Sequence, residues 1–455
     1  MFSTFIFSQV DLGLPVATGK GGAANGIVKD WECIGINPSN LGWENNHRFS
    51  ISMLIFGISA QSKALDYGQL KNAITHPGDT FSTADKKVFA DLFTDKDGLN
   101  LQSNLNWLTF SFAIPKVGGF AMNVRDRSFG HIRLNDNAAD ILFMGMNAPI
   151  FKDPMFWLNP QNISSVFDGS KIGYMHYREM NFAYGTKIIG FGGTKDSSAV
   201  SIYGGIGFKY LWGMGDFEMS ADNGVLTGHS ALSTKYGIEV KDFTPENTAG
   251  LFPSAGGGTA FDIGAGIGIG KLKISFSAVD IGSIRWNKNV LIAQDTLLPD
   301  TSQFNFQGVN SWDMTQYANN MFNDSGIVKF KPGKPYTTQL PSKFRFGIGY
   351  QLSRRMIVGA DMVMPMSDNP TNLESAFFAV GTEMTVANNF KFAFGFSGNS
   401  TYGFSVPMGV TLANLFHFME VGIATNDILT YFSHGSNPNI SLSLSLFRFN
   451  LDKKK

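Results

Sequence analysis

The segment NISLSLSLFRFN, residues 439–450, decides the fold class. Apolar side chains alternate with serine along it, at Ile440, Leu442, Leu444 and Leu446. A period of two places successive side chains on opposite faces of a β-strand, so this strand has one apolar and one polar face. The same alternation recurs in three further stretches, KFRFGIGYQL (343–352), KFAFGF (391–396) and DIGAGIGIG (262–270).

Counted along the whole chain, the pattern predicts fourteen strands whose boundaries are accurate to about two to four residues. They are 47–59, 101–114, 117–128, 179–191, 198–214, 259–269, 271–285, 342–352, 354–366, 374–387, 389–399, 402–413, 416–426 and 438–450.

The connections between these strands alternate between long and short. The short ones lie at Pro115-Lys116, 192–197, Gly270, Ser353, Asn388 and 414–415, and only the link at 400–401 is short in a long-loop position. Transmembrane barrels have an even strand number, with short turns at one end and long loops at the other. The sequence therefore predicts an all-β fold, a transmembrane antiparallel β-barrel of about 14 strands. A soluble β-sandwich is the alternative.

Composition agrees with a barrel. Charged residues make up 16% of the 455 residues, below the roughly 25% typical of soluble domains. Positive and negative residues number 36 each, so no nucleic-acid partner is expected. The most apolar stretch, ILFMGMNAPIF (141–151), is shorter than the ~18 residues that a transmembrane helix needs. The single cysteine, Cys33, excludes an internal disulfide framework.

The chain carries no motif for catalysis or metal binding. Its seven histidines lack metal-ligand spacing, and G-x-S-x-G is missing. The run GAGIGIG (264–270) lies within a predicted strand, where glycine gives room in the lumen or lets the sheet bend rather than binding phosphate. We therefore predict no enzyme activity, no metal site and no cofactor. The charged triplet RDR (125–127) is interpreted as a solvated rim at a strand end.

Three loop features have a predicted local structure. STADKKVFADLF (82–93) predicts a helix that is capped by Ser82 or Thr83. NDNAADILFMGM (135–146) predicts a second short helix, and Asn223-Gly224 predicts a hairpin turn.

Seven charged side chains fall on the inward phase of the predicted strands. Because the outward side chains of a membrane barrel are apolar, these residues should line the lumen. Their mixed signs predict ion pairs that rigidify the wall rather than substrate contacts. They are Lys209, Asp262, Lys273, Arg345, Asp361, Glu383 and Lys391.

The stretch GINPSNLGW (35–43) precedes the first strand, and this arrangement resembles the FadL family of outer-membrane transporters. In that family an "NPA" motif recurs in an N-terminal hatch that plugs the barrel. Here Asn37, Pro38, Ser39 and Asn40 match it, with serine where the family usually has alanine. LPSKFRFGIGY (340–350) resembles a stretch of the FadL-like barrels of Bacteroidota, which include PorV of the type IX secretion system.

Together these features divide the chain into three parts. Residues 1–8 are interpreted as a signal-peptide remnant, because MFSTFIFS is apolar and ends in a small residue; a disordered apolar N-terminus is the alternative. The resemblance then implies a hatch over 9–46 and a barrel over 47–455.

The resemblance implies passive uptake of hydrophobic small molecules across the outer membrane of a Gram-negative bacterium, with membrane lipid as the surroundings. The predicted ligand-capture loop residues form an apolar set, for which mutual packing of the loops is the alternative: Leu142, Phe143, Met146, Phe156 and Trp157. Gly118-Gly119 is the candidate position for a lateral opening. The alternative function is a PorV-like scaffold or shuttle that binds secretion-system proteins.

Overall fold

The computed structural model describes residues 15–62, 81–94, 98–193, 199–240, 243–248, 250–298, 306–310, 314–322, 327–369, 371–373, 375–387, 389–400, 403–415, 419–432 and 439–451. The predicted signal remnant at 1–8 lies outside these residues.

Fourteen strands of the described chain form a continuous wall. They are β1 (Phe49–Gln61), β2 (Leu99–Ile114), β3 (Gly118–Arg133), β5 (Lys171–Phe191), β6 (Val200–Asp222), β8 (Gly256–Ile269), β9 (Leu272–Trp286), β14 (Lys343–Ser353), β15 (Met356–Pro365), β16 (Phe377–Ala387), β17 (Phe390–Asn399), β19 (Met408–Leu415), β20 (Met419–Thr425) and β21 (Asn439–Leu451).

Within the described residues, seven shorter strands and six α-helices accompany the wall. The strands are β4 (Gln161–Asn162), β7 (Val225–Leu232), β10 (Val290–Gln294), β11 (Leu297–Leu298), β12 (Lys329–Pro332), β13 (Tyr336–Gln339) and β18 (Gly403–Ser405). The helices are α1 (Pro15–Thr18), α2 (Thr83–Leu92), α3 (Asp136–Met144), α4 (Pro154–Leu158), α5 (Ile163–Val166) and α6 (Met314–Phe322).

The wall closes on itself. Each wall strand pairs antiparallel with the next wall strand along the chain, and β1 pairs with both β2 and β21. Met53 of β1, for example, lies opposite Leu108 on one side and Phe447 on the other. The prediction of a fourteen-stranded antiparallel β-barrel is confirmed.

Several predicted strand limits were wrong. β5 begins at Lys171, earlier than the predicted 179, and β6 ends at Asp222, later than the predicted 214. In both strands the alternation continues under the loops. The strand predicted at 402–413 is divided into β18 and β19. Pro407 lies between them, and proline has no N–H to donate to a ladder.

The two ends of the barrel differ as predicted. Short turns such as Gly270 between β8 and β9 collect at one end, which we call the turn end. Both the start of β1 and the end of β21 lie there. The other end, the loop end, carries the predicted helices. Ser82 caps α2 in a capping box with Asp85, Asn135 caps α3, and Asn223-Gly224 turns β6 into β7.

The outer and inner faces of the wall have opposite character. Outward side chains such as Ile206, Phe261, Ile263 and Phe378 are each more than half exposed. Inward neighbours such as Lys209 are buried. Apolar side chains outside and polar ones inside are typical of a membrane-spanning barrel.

No helix of the described ranges is long and apolar enough to cross a membrane.

Replacing Ile263 with arginine tests the membrane-facing wall. Ile263 is 56% exposed on the outer face of β8, and arginine there should lower the free energy of unfolding from bilayers by about 2–4 kcal/mol. Val225→Arg, just after the Asn223-Gly224 turn, is the matched control, since Val225 is 62% exposed at the loop end. Urea unfolding in lipid vesicles measures both. Equal effects of the two substitutions would contradict the assignment of the outer face.

Candidate functional site

The N-terminal segment (residues 15–46) occupies the lumen. Nearly every residue from 17 to 43 is buried, and short 3-10 turns form at Asp30–Cys33 and Pro38–Gly42. Side chains and backbone of this segment contact wall strands on opposite sides of the barrel. Its interpretation as a hatch concerns movement and stays a prediction.

The Asn37–Asn40 motif holds the segment together. Asn37 caps the 3-10 turn at 38–42, because its Oδ1 accepts from the backbone N–H of Ser39 at 3.0 Å and from its hydroxyl at 2.6 Å. Its Nδ2 donates to the carbonyl of Phe276 in β9 at 3.1 Å. Asn40 Nδ2 donates to the carbonyls of Asn25 and Val28, at 2.8 and 3.1 Å. One asparagine therefore reaches the wall and the other reaches the earlier part of the segment.

Glycines in the wall make room for this motif. Gly185 of β5, Gly205 of β6 and Gly264 of β8 point at Asn37 and Pro38. A Cβ at any of the three would lie less than 3.0 Å from an atom of these two residues. Within the glycine-rich run at 264–270, Gly264 thus provides lumen space, which is one of the two roles predicted for the run.

A second group of contacts fixes the earlier half of the segment. Asp361 of β15 accepts from the backbone N–H groups of Ala24 and Asn25, at 2.9 and 2.7 Å. Lys20 pairs with Glu383 of β16 at 3.0 Å. Each such bond contributes about 0.5–3 kcal/mol, the charged ones most. Asp361 and Glu383 are two of the predicted lumenal charges.

A third contact joins the segment to the start of β1. Asp30 accepts from the backbone N–H of His47 at 2.7 Å and contacts its ring Nδ1 at 2.6 Å. Asn46 donates to the carbonyls of Asn40 and Leu41, both at 2.8 Å. Sequence reasoning missed these residues, because a single Asp and a single His at positions 30 and 47 form no recognisable motif.

The other predicted charges take different positions. Lys209 pairs with Asp262 at 2.9 Å, so the structure brings these two together. Lys273 lies over the rings of Trp43 and Tyr203, about 5 Å from each centroid. Lys391 pairs with Glu420 at 3.2 Å, and Arg345 is buried.

The interpretation of RDR (125–127) as a solvated rim was wrong. Arg125 and Arg127 are at most 4% exposed and point into the lumen, where they pair with Glu179 at 2.6 Å and Asp280 at 2.9 Å. Only Asp126 faces outward, and it pairs with Arg178. Asn123, Arg125 and Arg127 are spaced two residues apart, and this alternation could have placed all three on the inner face of the strand.

Asp280 sits at a bulge of β9. Opposite Asp262 of β8, β9 places both Val279 and Asp280, and Asp280 has a φ of 60°. Both carboxylates therefore reach Lys209, and Asp262 also accepts from the N–H of Asp280 at 2.8 Å. A bulge re-aims a side chain in this way. Lys209, Asp262 and Asp280, with Arg125, Arg127 and Glu179, make up the lumenal ion network.

An apolar layer lies on the loop side of the ion network. Its buried side chains come from β3, β5, β6 and β9: Phe129, Met175, Tyr177, Leu211, Ile284 and Trp286. From the loop end to the turn end, this part of the lumen holds the apolar layer, the ion network and then the N-terminal segment.

The predicted capture residues belong to a packed cluster at the loop end. Leu142 and Phe156 are about 5% exposed, while Phe143, Met146 and Trp157 are half-buried. The cluster packs on the outward face of the extended β5 and β6 strands, where Ile172 lies opposite Met219. Its role in capture stays a prediction. In the described chain no group of three His, Cys, Asp or Glu residues is placed to hold a metal.

Comparison with protein families gives one match. The model of a family of unknown function, DUF5723, matches residues 42–420. The chain belongs to this family. No curated protein matches the sequence.

Solved structures share the fold. The deltaS2S3 mutant of TodX, a monoaromatic hydrocarbon channel, is 8% identical over 97% of this chain and 100% of its own, with a TM-score of 0.50. The toluene transporter TodX of Pseudomonas putida is 10% identical over 98% of both chains, with a TM-score of 0.46. A FadL homologue of Pseudomonas aeruginosa is 10% identical over 98% and 100%, with a TM-score of 0.45. The first comparison supports a barrel of this type.

Cys33 reports on the position of the segment. It is fully buried, and burial raises the pKa of its thiol well above the usual value, with the charges of Asp30 and Glu32 acting in the same direction. Thiols react as thiolates, so Cys33 should resist maleimide while the segment stays in place.

Gly205→Ala tests the glycine contact. The added methyl would overlap the backbone of Pro38, so we expect displacement of the segment and faster maleimide labelling of Cys33 in the folded barrel. Gly204→Ala is the matched control, because Gly204 points outward at the flexible end of Ile188. Mass spectrometry of unboiled protein measures labelling. Equal protection of Cys33 in both variants would show that the glycine contact does not hold the segment.

Proposed function

We propose that the protein resides in the outer membrane of a Gram-negative bacterium and conducts small hydrophobic molecules inward by diffusion. The observation that carries this proposal is a closed barrel, apolar outside, whose lumen is filled by a separate segment held through a limited set of polar contacts. Similarity to a monoaromatic hydrocarbon channel supports the same class of solute.

Capture would begin among the loops. The cluster around Leu142 and Phe156 presents half-buried edges at Phe143, Met146 and Trp157. A second apolar pocket between loop residues and the β7–β10–β12 sheet is lined by Leu232, Ile238, Val240, Phe243, Leu291 and Phe330, among others. Burial of apolar surface contributes roughly 25 cal/mol per Å², which favours capture of a hydrocarbon from water.

Passage would require the N-terminal segment to move as a hatch. Its polar wall contacts include separable groups, on β9 at residues 275–277, on β15 at Asp361 and on β16 at Glu383. Hydrogen bonds of this kind exchange with water at a net cost of about 1 kcal/mol each, so partial release is feasible while the barrel stays closed. Gly118-Gly119 stays a candidate for lateral exit: a Cβ on Gly119 would overlap the carbonyl of Leu41.

A PorV-like scaffold is the second candidate. It is favoured by the lumen itself, where the apolar layer and the ion network lie above the segment. A barrel that never opens would act through its loops or outer wall, with secretion-system proteins as partners.

Replacing Asn37 and Pro38 together with alanine tests the hatch. The double variant loses the cap of the 3-10 turn and the bond to Phe276, so toluene uptake by cells expressing it should rise several-fold at equal barrel content. Asn147→Ala on the exposed loop is the control and should behave as wild type.

Two results would count against this proposal. Unchanged toluene uptake in the double variant would mean that the segment is not the barrier. Absence of uptake in every variant, together with stable co-purification of secretion components, would favour the scaffold.

A further inference from the structure

A stripe of neutral polar side chains runs down the inner face of β2. Five residues, here called the β2 stripe, point into the lumen and are at most 3% exposed: Gln102, Asn104, Asn106, Thr109 and Ser111. A bulge at Trp107 shifts the alternation by one residue, which keeps both halves of the stripe on the inner face. The stripe covers about 30 Å of strand, the thickness of a membrane core.

Most polar atoms of the stripe lack a protein partner. Both amide atoms of Gln102 and Asn104, and the hydroxyls of Thr109 and Ser111, are buried without a hydrogen bond to any other residue of the described chain. Each such group has lost its hydrogen bonds to water without gaining others, which costs free energy. A solute that forms hydrogen bonds recovers this free energy, whereas a hydrocarbon does not.

The surroundings of the stripe carry no net charge, although Arg127 and Arg125 of β3 lie opposite Asn104 and Asn106. Ser52 and Ser50 of β1 lie opposite Thr109 and Ser111, and Asn123 of β3 lies opposite Thr109 on the other side. The neighbouring ion network holds three cations and three anions in mutual contact. No net charge therefore attracts an ion to the stripe.

The stripe ends in a cavity at the turn end. Ala113, the next inward residue of β2 after Ser111, lines this cavity of about 360 Å³ together with Leu41, Trp43, Asn46 and Lys116. This volume has room for several water molecules or a small polyol. The 3-10 turn at 30–33 packs against β1, β2 and β3, so the N-terminal segment borders the stripe.

We propose that the β2 stripe and the turn-end cavity form a pathway for water and small neutral hydroxylated solutes of about the size of glycerol. Amide and hydroxyl groups donate and accept hydrogen bonds, as does a polyol. This activity goes beyond uptake of hydrophobic molecules, because its solutes and its lining residues are different.

Stopped-flow light scattering of protein-containing vesicles tests the pathway. Vesicles with the wild-type protein should take up glycerol faster than protein-free vesicles. Asn104→Leu removes both amide atoms, and loss of about 1 kcal/mol should lower glycerol permeability about fivefold. Thr109→Val should also lower glycerol permeability. Asn147→Leu on the exposed loop is the matched control and should leave it unchanged.

Wild-type vesicles that swell no faster than protein-free ones would overturn the pathway, as would equal glycerol rates in Asn104→Leu, Thr109→Val and wild type. Heat-modifiable migration on gels shows whether each variant has folded. If one of the two stripe variants fails to fold, the other still tests the pathway. Toluene uptake by the same variants should be unchanged, so failure of the pathway and failure of the hydrophobic-uptake proposal are separate results.

Discussion

The close contact between Pro38 and the glycines of three neighbouring strands is the constraint on which the lumen depends. Gly185, Gly205 and Gly264 bring the wall backbone against Asn37 and Pro38. No residue with a Cβ fits at these positions while the segment is in place. The contact is therefore steric and independent of charge. It fixes the height at which the segment crosses the barrel, and the polar contacts of Asn37 and Asn40 then follow from that height.

The remaining layers of the lumen follow from the same position. Toward the loop end, the third inward residue of β5 after Gly185 is Glu179, and the second inward residue of β6 after Gly205 is Lys209. Buried charges are tolerated only when they are paired, and the bulge at Asp280 supplies the second carboxylate that Lys209 needs. Above them Trp286 and Tyr177 exclude water. The lumen thus separates a dry half, along β3 to β9, from the neutral polar stripe on β2.

The sequence predicted much of this fold and less of the site. Alternation and loop parity gave fourteen wall strands, because a barrel repeats the same physical requirement in every strand. The inward position of Lys209 and Asp262 followed from strand phase, but their pairing with each other was not specified by it. Arg125 and Arg127 were assigned to the rim because their charge suggested contact with solvent, although their spacing of two residues places both on the inner face of the strand. Asp280 and the contact of Asp30 with His47 depend on a bulge and on the path of the segment, which no local pattern encodes.

The central claim is that the segment must move for hydrophobic molecules to pass, and a cross-link tests it most directly. Cys33 is the single cysteine and packs in the same buried cluster as Ala121 of β3. In an Ala121→Cys variant, oxidation would join the segment to the wall. Toluene uptake should be lost when Cys33 and the new cysteine form a disulfide, and it should return on reduction. Equal uptake by the oxidised and reduced forms would contradict the account.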